Sequence, residues 1–339
     1  MTTSGFPVTS VPSERATGLD RIRAEFSSAQ KVVMTTHLNA DGDGVGSESA
    51  IGGWLRRSGH AAIIVNPTPL PDTYRFLLDG LPAWTPADEA GRVAIQEADL
   101  IVVIDTAESP RLGPVMPLIE SHRIITIDHH PPVTPSLGQL SVRDPTAAAA
   151  GELIYDLIIG AGDTPTLPEA RALYAAIATD TGSFRYGNTT SRVHQITAHL
   201  LALGVDPEDM YHRLYGGYTL ARLALLQRAL AGIRIHDTLP VAWISLYSSD
   251  MEETGATRDD VEGIVEYARR LEGIEIAVLL RELADGRTKV SLRTSGDTDV
   301  AAVARELGGG GHVKAAGVLL DVPLAEAEAL VIAVLESIS

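Results

Sequence analysis

The sequence predicts an α/β protein in two lobes: a mainly parallel sheet flanked by helices, joined by a helical connector to a smaller α/β domain. Three observations predict it. Short β-branched runs alternate with helix-spaced segments through the first half of the chain. Two of those runs, LIVVI at 100–104 and RIITI at 123–127, are apolar enough to be buried on both faces, as strands of a parallel sheet are. The length of 339 residues, at roughly 150 residues per domain, suggests two domains, each able to bury its own core.

Residues 1–15 read as a loose tail, and Arg21 and Arg23 fall in a first helix. KVVMTT at 31–36 is a short β-branched strand. Residues 45–57 are helical, with Ala50, Ile51, Trp54 and Leu55 at helix spacing. AAIIV at 61–65 and the runs at 100–104 and 123–127 are strands, and residues 147–159 and 168–179 are helices. From about 190 to 231 helix follows helix, at 191–203, 207–215 and 219–231, separated by Gly204 and by Gly216-Gly217. A second α/β segment begins with strands at 241–246 and 274–282. Asp285-Gly286 signals a two-residue hairpin turn into a strand at 288–294. A helix at 299–307, a glycine run at 308–311, a strand at 317–321 and a helix at 324–337 close the chain. The expected domains are 16–190 and 232–339, with 191–231 as the connector.

Composition limits the chemistry. There are 44 acidic side chains against 27 Lys and Arg, a formal charge of −17, and no cysteine. Without cysteine, disulfide scaffolds, thiol nucleophiles and cysteine-ligated zinc or iron–sulfur sites are excluded. A metal must sit on His, Asp or Glu. So acidic a surface is also a poor general nucleic-acid binder, because duplex affinity comes largely from Lys and Arg. The first thirty residues hold no signal-peptide core, and the apolar runs fall far below the roughly 20 residues that span a bilayer. The expectation is a soluble cytoplasmic protein without a membrane partner.

Four segments put Asp or His at or just past the end of a strand or helix. They are His37 to Gly44, with Asp41 and Asp43; Asp105 after LIVVI; Asp128-His129-His130 after RIITI; and Asp180 in ATDTGSF. In open α/β sheets ligands bind outside the carboxyl ends of the strands, so these distant residues can converge. The first segment reads as a loop in which Gly42, Gly44 and Gly46 let the backbone fold tightly round an ion. Asp-Gly-Asp-Gly is also ordinary turn chemistry. A carboxylate and two imidazoles directly after an apolar strand must find partners or bind something. An acid at a helix carboxyl end, as at Asp180, is disfavoured by the helix dipole unless a cation offsets it. His37, Asp41, Asp43, Asp105, His129 and Asp180 make six ligands, enough for two metals sharing a carboxylate. Hard carboxylates with imidazoles suit manganese, with magnesium or cobalt as alternatives. Two such ions clamp the oxygens of a phosphoryl displacement and supply hydroxide at neutral pH.

The glycine run and His312 lie between a helix and a strand. Gly309, Gly310 and Gly311 allow backbone N–H groups to approach an anion, and His312, Lys314 and Arg293 add donors nearby. It is not a Walker A loop, since no Gly-Lys-Ser/Thr follows.

HLNADGDGVGS, VVIDTAE, IDHHPP and ATDTGSFRYGNTT resemble the four motifs of the DHH phosphoesterase superfamily. GGGGHVKAAG resembles the signature of its DHH-associated C-terminal domain. The resemblance covers roughly residues 20–337 and is greatest to the nanoRNase/pAp-phosphatase branch, which includes actinobacterial cyclic di-AMP phosphodiesterases. It implies one manganese on His37, Asp41 and Asp105, and another on Asp43, Asp105, His129 and Asp180. It implies that His130 assists at the phosphate with Asp105 central to catalysis, and that Asp128 orients the histidines. Arg293, Gly309, Gly310, Gly311 and His312 would hold the far end of a nucleotide. Asn39-Ala40 departs from the usual first motif without losing a ligand. The implied substrates are pAp, short RNA and cyclic di-AMP or linear pApA, without stable binding of long nucleic acid, and the implied assembly is a homodimer.

Other readings compete. A RecJ-like exonuclease shares the motifs but would carry a basic groove and an added oligonucleotide-binding domain. A family pyrophosphatase would lack GGGGHVKAAG. A non-catalytic nucleotide sensor would be expected to lose ligands that are intact here. A Rossmann dehydrogenase needs Gly-x-Gly-x-x-Gly, whereas Gly42 to Gly46 is Gly-x-Gly-x-Gly.

Overall fold

The computed structural model describes residues 10–132 and 136–337, with the backbone alone for His312. The chain divides into two compact units, Met1–Gly216 and Gly217–Ser339.

The first unit is built on six parallel strands: β1 (Lys31–Thr35), β2 (Ala61–Val65), β3 (Ala83–Trp84), β4 (Leu100–Ile104), β5 (Ile124–Asp128) and β6 (Leu140–Arg143). Their order is β3-β2-β1-β4-β5-β6. Among the described residues, eight α-helices accompany them: α1 (Ser13–Phe26), α2 (Gly42–Arg57), α3 (Glu89–Gln96), α4 (Met116–Ile119), α5 (Ala150–Gly160), α6 (Leu167–Asp180), α7 (Ser191–Ala202) and α8 (Pro207–Tyr215). Every residue of β4 and β5 is buried, because helices cover both faces. Val32, Met34, Val102 and Ile104 pack against α1, α2, α5 and α6. Val33, Ile101 and Val103 face Ile95 of α3 and Ile119 of α4. The edge strands β3 and β6 were not expected. They are two and four residues long, too short to show a period.

The helix α1 begins inside the expected tail. Arg15, in its first turn, is buried among three carboxylates: Asp144 at 2.9 Å, Glu152 at 3.1 Å and Asp156 at 3.0 Å. Arg192 of α7 pairs with Glu152 and Asp156 from the other side. These partners lie more than a hundred residues from Arg15, so the local sequence gives no sign of them.

The second unit contains α9 (Leu220–Ala231), β7 (Arg234–Ile235), β8 (Val241–Leu246), α10 (Ser248–Thr254), α11 (Val265–Arg269) and β9 (Ile276–Glu282). It continues with β10 (Thr288–Thr294), α12 (Val300–Glu306), β11 (Gly310–His312), β12 (Ala315–Leu320) and α13 (Leu324–Ser337). The sheet order is β11-β12-β10-β9-β8-β7, with β8 and β9 parallel and the other pairs antiparallel. Val278, Val290 and Leu292 pack under α12 and α13. Ala277 and Leu279, on the other face, pack with α9 and α11. The turn between β9 and β10 is longer than the two residues expected. Leu283 N donates to Arg287 O at 2.8 Å, closing a loop over Gly286 at φ +83°.

Candidate metal centre

The order of the first sheet reverses between β1 and β4. Crossovers diverge at such a point and leave a crevice outside the carboxyl ends of the strands. His37 follows β1, Asp105 follows β4, and Asp128 ends β5 with His129 and His130 next. α6 ends on Asp180.

Helix α2 starts at Gly42, three residues earlier than its spacing predicts. Asp43, Gly44 and Gly46 are therefore helical and do not form a loop folded round an ion. Asp41 is the N-cap, its Oδ1 accepting from Asp43 N and Gly44 N at 3.1 Å each. The glycines serve packing. A Cβ on Gly42 would stand 2.4 Å from the Thr179 methyl, and one on Gly46 2.5 Å from the Ala172 carbonyl oxygen. Their absence lets α2 lie against α6, which brings Asp43 to the helix that ends in Asp180.

Three sets of ligating atoms form, each within 4.8 Å: His37, Asp41 and Asp105; Asp43, His129 and Asp180; Asp105, His129 and His130. His37 Nε2 stands 3.3 Å from Asp105 Oδ2 and 3.6 Å from Asp41 Oδ2. His129 Nε2 stands 3.3 Å from Asp105 Oδ1, 3.5 Å from Asp180 and 3.6 Å from Asp43. Asp105 thus faces both imidazoles, one with each oxygen. The Nδ1 atoms meet backbone carbonyls, His37 at Leu38 (2.9 Å) and His129 at Ala147 (3.3 Å). Those bonds turn Nε2 toward the acids. Asp43 accepts from Ala150 N at 2.6 Å and Gly151 N at 2.9 Å, at the amino end of α5, and from Ser47 Oγ at 3.1 Å.

Asp105 carries backbone strain. Its φ is +61°, in the left-handed region that Asp tolerates better than most residues. Its Oδ1 is buried and completes no hydrogen bond among the described residues. A cation would satisfy such an atom.

The electrostatics agree. Burial pulls the His37 imidazole down, but Asp105 and Asp41 outweigh it and hold it at about 10. Burial of His129 is likewise outweighed by Asp105, with help from Asp43 and Asp180, and its value stands at about 11. Burial pushes Asp180 up to about 7 against the pull of His129, with the Asp105 charge adding to the rise. Asp43 is raised well above the carboxylate range by burial and then by Asp105. Asp105 stays well below that range, because His129 and His37 outweigh its burial. The cluster attracts positive charge strongly. Two imidazoles and four carboxylates, without a thiol, fit hard divalent cations.

His130 is held differently. Its Nδ1 donates to Asp128 Oδ1 at 2.8 Å and its Nε2 accepts from Arg111 Nη1 at 3.1 Å. Asp128 also meets Arg143 at 3.2 Å. Its carboxylate orients His130, while Ala147 O holds His129. Arg111 escaped the sequence reading. It lies in the 3-10 turn Ser109–Val115 after β4, and its only local signal is a cation six residues past Asp105. Glu48 was also missed. It is fully buried in α2, where its Oε2 accepts from Asn66 Nδ2 at 2.8 Å.

In the second unit the latter half of the glycine run is strand, where a loop was expected. Gly310, Gly311 and His312 pair with Gly317, Ala316 and Ala315 of β12. A Cβ on Gly309 would stand 2.3 Å from Gly317 O, and one on Gly311 2.6 Å from Ala315 O, so close pairing requires glycine at both. Gly310 has open space where a side chain would be. Arg293, on β10, pairs with Ala315, which pairs with His312, so the three positions share one row of the sheet. Arg293 Nη1 donates to Leu292 O, and Glu266 lies 3.9 Å from its Nε. The side chain of His312 lies outside the described part.

Residues 31–179 match the model of the DHH family, N-terminal domain, and residues 240–338 that of the DHHA1 domain. The chain is 32% identical over 305 residues to the bifunctional oligoribonuclease and PAP phosphatase NrnA of Thermus thermophilus, covering 88% of each chain. It is 25% identical to the cyclic-di-AMP phosphodiesterase PdeA of Listeria monocytogenes, over 92% of this chain and 48% of that protein. Among solved structures, an exopolyphosphatase-related protein from Bacteroides fragilis superposes with a TM-score of 0.90 at 26% identity, covering 97% of this chain and 98% of that one.

Proposed function

Because the chain belongs to the DHH family and carries its DHHA1 domain, we propose that it is a divalent-metal-dependent hydrolase of short nucleotides. The observation that carries this is the place of Asp105, whose two oxygens face His37 and His129 separately. In this reading His37, Asp41 and Asp105 hold one manganese, and Asp43, Asp105, His129 and Asp180 hold a second. Such a pair of ions polarises a phosphoryl group and activates water.

The chain's own groups do the rest. Leu38 O and Ala147 O fix the imidazoles, and the amino end of α5 fixes Asp43. His130, with its Nδ1–H tied to Asp128, presents Nε2 beside the Arg111 guanidinium. There it takes or gives a proton at a phosphate oxygen, and Arg111 has further N–H donors for the same group. In the second unit, Arg293, Gly309, Gly310, Gly311 and His312 bind the nucleotide portion.

The substrates proposed are pAp, giving AMP and phosphate; short RNA, giving mononucleotides; and cyclic di-AMP or linear pApA, giving AMP. The names of the Thermus and Listeria relatives support that range. The family resemblance adds a homodimer, which sedimentation would test. The decisive experiment compares kcat/KM on pAp, short and long RNA, and cyclic di-AMP with manganese. Hydrolysis of at least one short substrate is expected, lost with chelator and restored by metal. No turnover with manganese, magnesium or cobalt would sink the reading. Rates that climb with RNA length would favour the exonuclease alternative.

A further inference from the structure

Glu48 is a buried acid that the proposed chemistry leaves idle. It lies on α2, fully buried, five residues past Asp43 and about 7.5 Å further along the helix axis. Its Oε2 accepts from Asn66 Nδ2 at 2.8 Å, and its Oε1 meets no hydrogen-bond donor among the described residues. Burying a carboxyl group with one oxygen left unbonded costs stability. A leucine would fill the same place in a helix without that cost, so packing does not explain the acid.

Asn66 carries the link onward. It follows β2, is 1% exposed, and its Oδ1 accepts from Thr36 N at 3.0 Å. The register of β1 with β2 runs to Met34 and Ile64. Beyond it the Asn66 side chain takes the place of a backbone acceptor for Thr36, the residue before His37. An amide side chain donates at one end and accepts at the other. Glu48 takes the donor end, which leaves the carbonyl end toward Thr36 N.

The turn after Thr36 carries His37 and leads to Asp41. It is held further at Leu38 N, by Arg111 O at 2.7 Å, and at Asn39 N, by Thr68 Oγ1 at 2.8 Å. Of these bonds, the one through Asn66 leads to α2, the helix that Asp41 caps. A Cβ on Gly44 would stand 2.6 Å from Thr36 Oγ1, so the first turn of α2 lies directly on Thr36. Glu48 and Asn66 thus tie together the two segments that supply His37 and Asp41. Among the described residues neither forms a hydrogen bond with those two side chains.

We infer that Glu48 and Asn66 are positioning residues, which set the separation of His37 from Asp41 and so the affinity for the ion these two hold with Asp105. The inference rests on the reading of His37, Asp41 and Asp105 as one ligand set. Residues that orient ligands without touching the metal are worth about 10–100-fold in affinity.

The test is calorimetric titration of the full chain with manganese. Wild type is expected to take up two equivalents. Glu48→Leu and Asn66→Ala, at opposite ends of the link, are each expected to weaken one equivalent by about tenfold or more and to leave the other unmoved. The weakened equivalent should be the one that His37→Ala also weakens. Glu48→Gln, which keeps an acceptor for Asn66 Nδ2, should bind both as wild type does. Arg57→Ala breaks an ion pair with Glu169 at 2.9 Å on the same helix, about 21 Å along its axis from Asp43. It should leave both equivalents unmoved. A second readout needs no metal: in chelator the Thr36 amide should exchange its hydrogen at least about tenfold faster in Glu48→Leu than in Glu48→Gln. Wild-type affinity in Glu48→Leu and Asn66→Ala, equal weakening of both equivalents, an equal loss in Arg57→Ala, or equal Thr36 exchange in the leucine and glutamine variants would overturn the role. Wild-type protein that binds no manganese would overturn the ligand set, and this role with it.

Discussion

Asp105 is the residue on which the proposed metal centre turns, and its backbone limits what can replace it. At φ +61° Asn fits where Ala is strained. Asp105→Asn therefore removes the charge and little else. A folded, soluble variant is expected, with kcat down by about 10²–10³-fold or more and with less bound manganese. Near-normal turnover would defeat the shared-ligand assignment. Glu48 makes a different residue-scale case. Burial pushes it up to about 8 from 4.5, and Asn66, which donates to it, also accepts from Thr36 N beside His37 at 3.0 Å. The native state holds a proton there that the unfolded chain releases. Stability from this group is full below the unfolded value, falls as pH rises through the folded value, and is then level. The whole effect is on the order of a few kcal/mol. Unfolding of chelator-treated protein from acid to alkaline pH should show that decline, and Glu48→Gln, which imitates the neutral acid, should flatten it. An equal slope in both proteins would rule Glu48 out as its source.

At the scale of elements, the contact between α2 and α6 decides whether Asp43 reaches Asp180. Gly46→Ala puts a Cβ against the Ala172 carbonyl oxygen at 2.5 Å, and backbone cannot swing away as a side chain can. A loss of about 1–3 kcal/mol is expected, together with weaker manganese binding. Gly59→Ala is the comparison: nothing lies within 4 Å of its Cβ, though its φ is +97°, so only strain is added. If both variants bind manganese as wild type does, the helix contact does not position the site. This contact also marks the limit of what the sequence could say. Asp105 and His129 were legible because Asp105 directly follows the apolar run LIVVI and Asp128-His129 follows RIITI, at the end of a sheet where ligands bind. Gly42, Gly44 and Gly46 were misread because a glycine needed for helix packing and a glycine needed for a turn look alike. Arg111 was not legible, since its partner His130 is nineteen residues away and joined only by the fold. The strand β11 was hidden because consecutive glycines carry no hydrophobic pattern.

At the scale of the molecule, two units with separate cores make a thermodynamic prediction. On the proposed reading manganese takes native ligands of the first unit and not the unfolded chain, and an ion bound in that way stabilises the unit by mass action. Calorimetry with and without chelator should show one part of the unfolding signal moving with manganese and another staying fixed. Movement of the whole signal as one transition would show that the units unfold together. The alternation of apolar runs made both sheets legible in advance. The juxtaposition of Arg281 and Lys289 was not, because only strand register sets them opposite one another.

The strand order of the first sheet also sets a clock. The proposed ligands hang from the ends of β1, β4, β5 and α6 and from the start of α2, and run from His37 to Asp180. Parallel strands pair only through crossovers, so these residues meet after the long loops between them have closed, which is slow. A nascent chain exposes His37, Asp41 and Asp43 well before Asp105, His129 or Asp180 has been made. Until α6 is complete the early acids are scattered, weak chelators. Selection of the right ion is thereby postponed to the finished fold, where spacing can impose it.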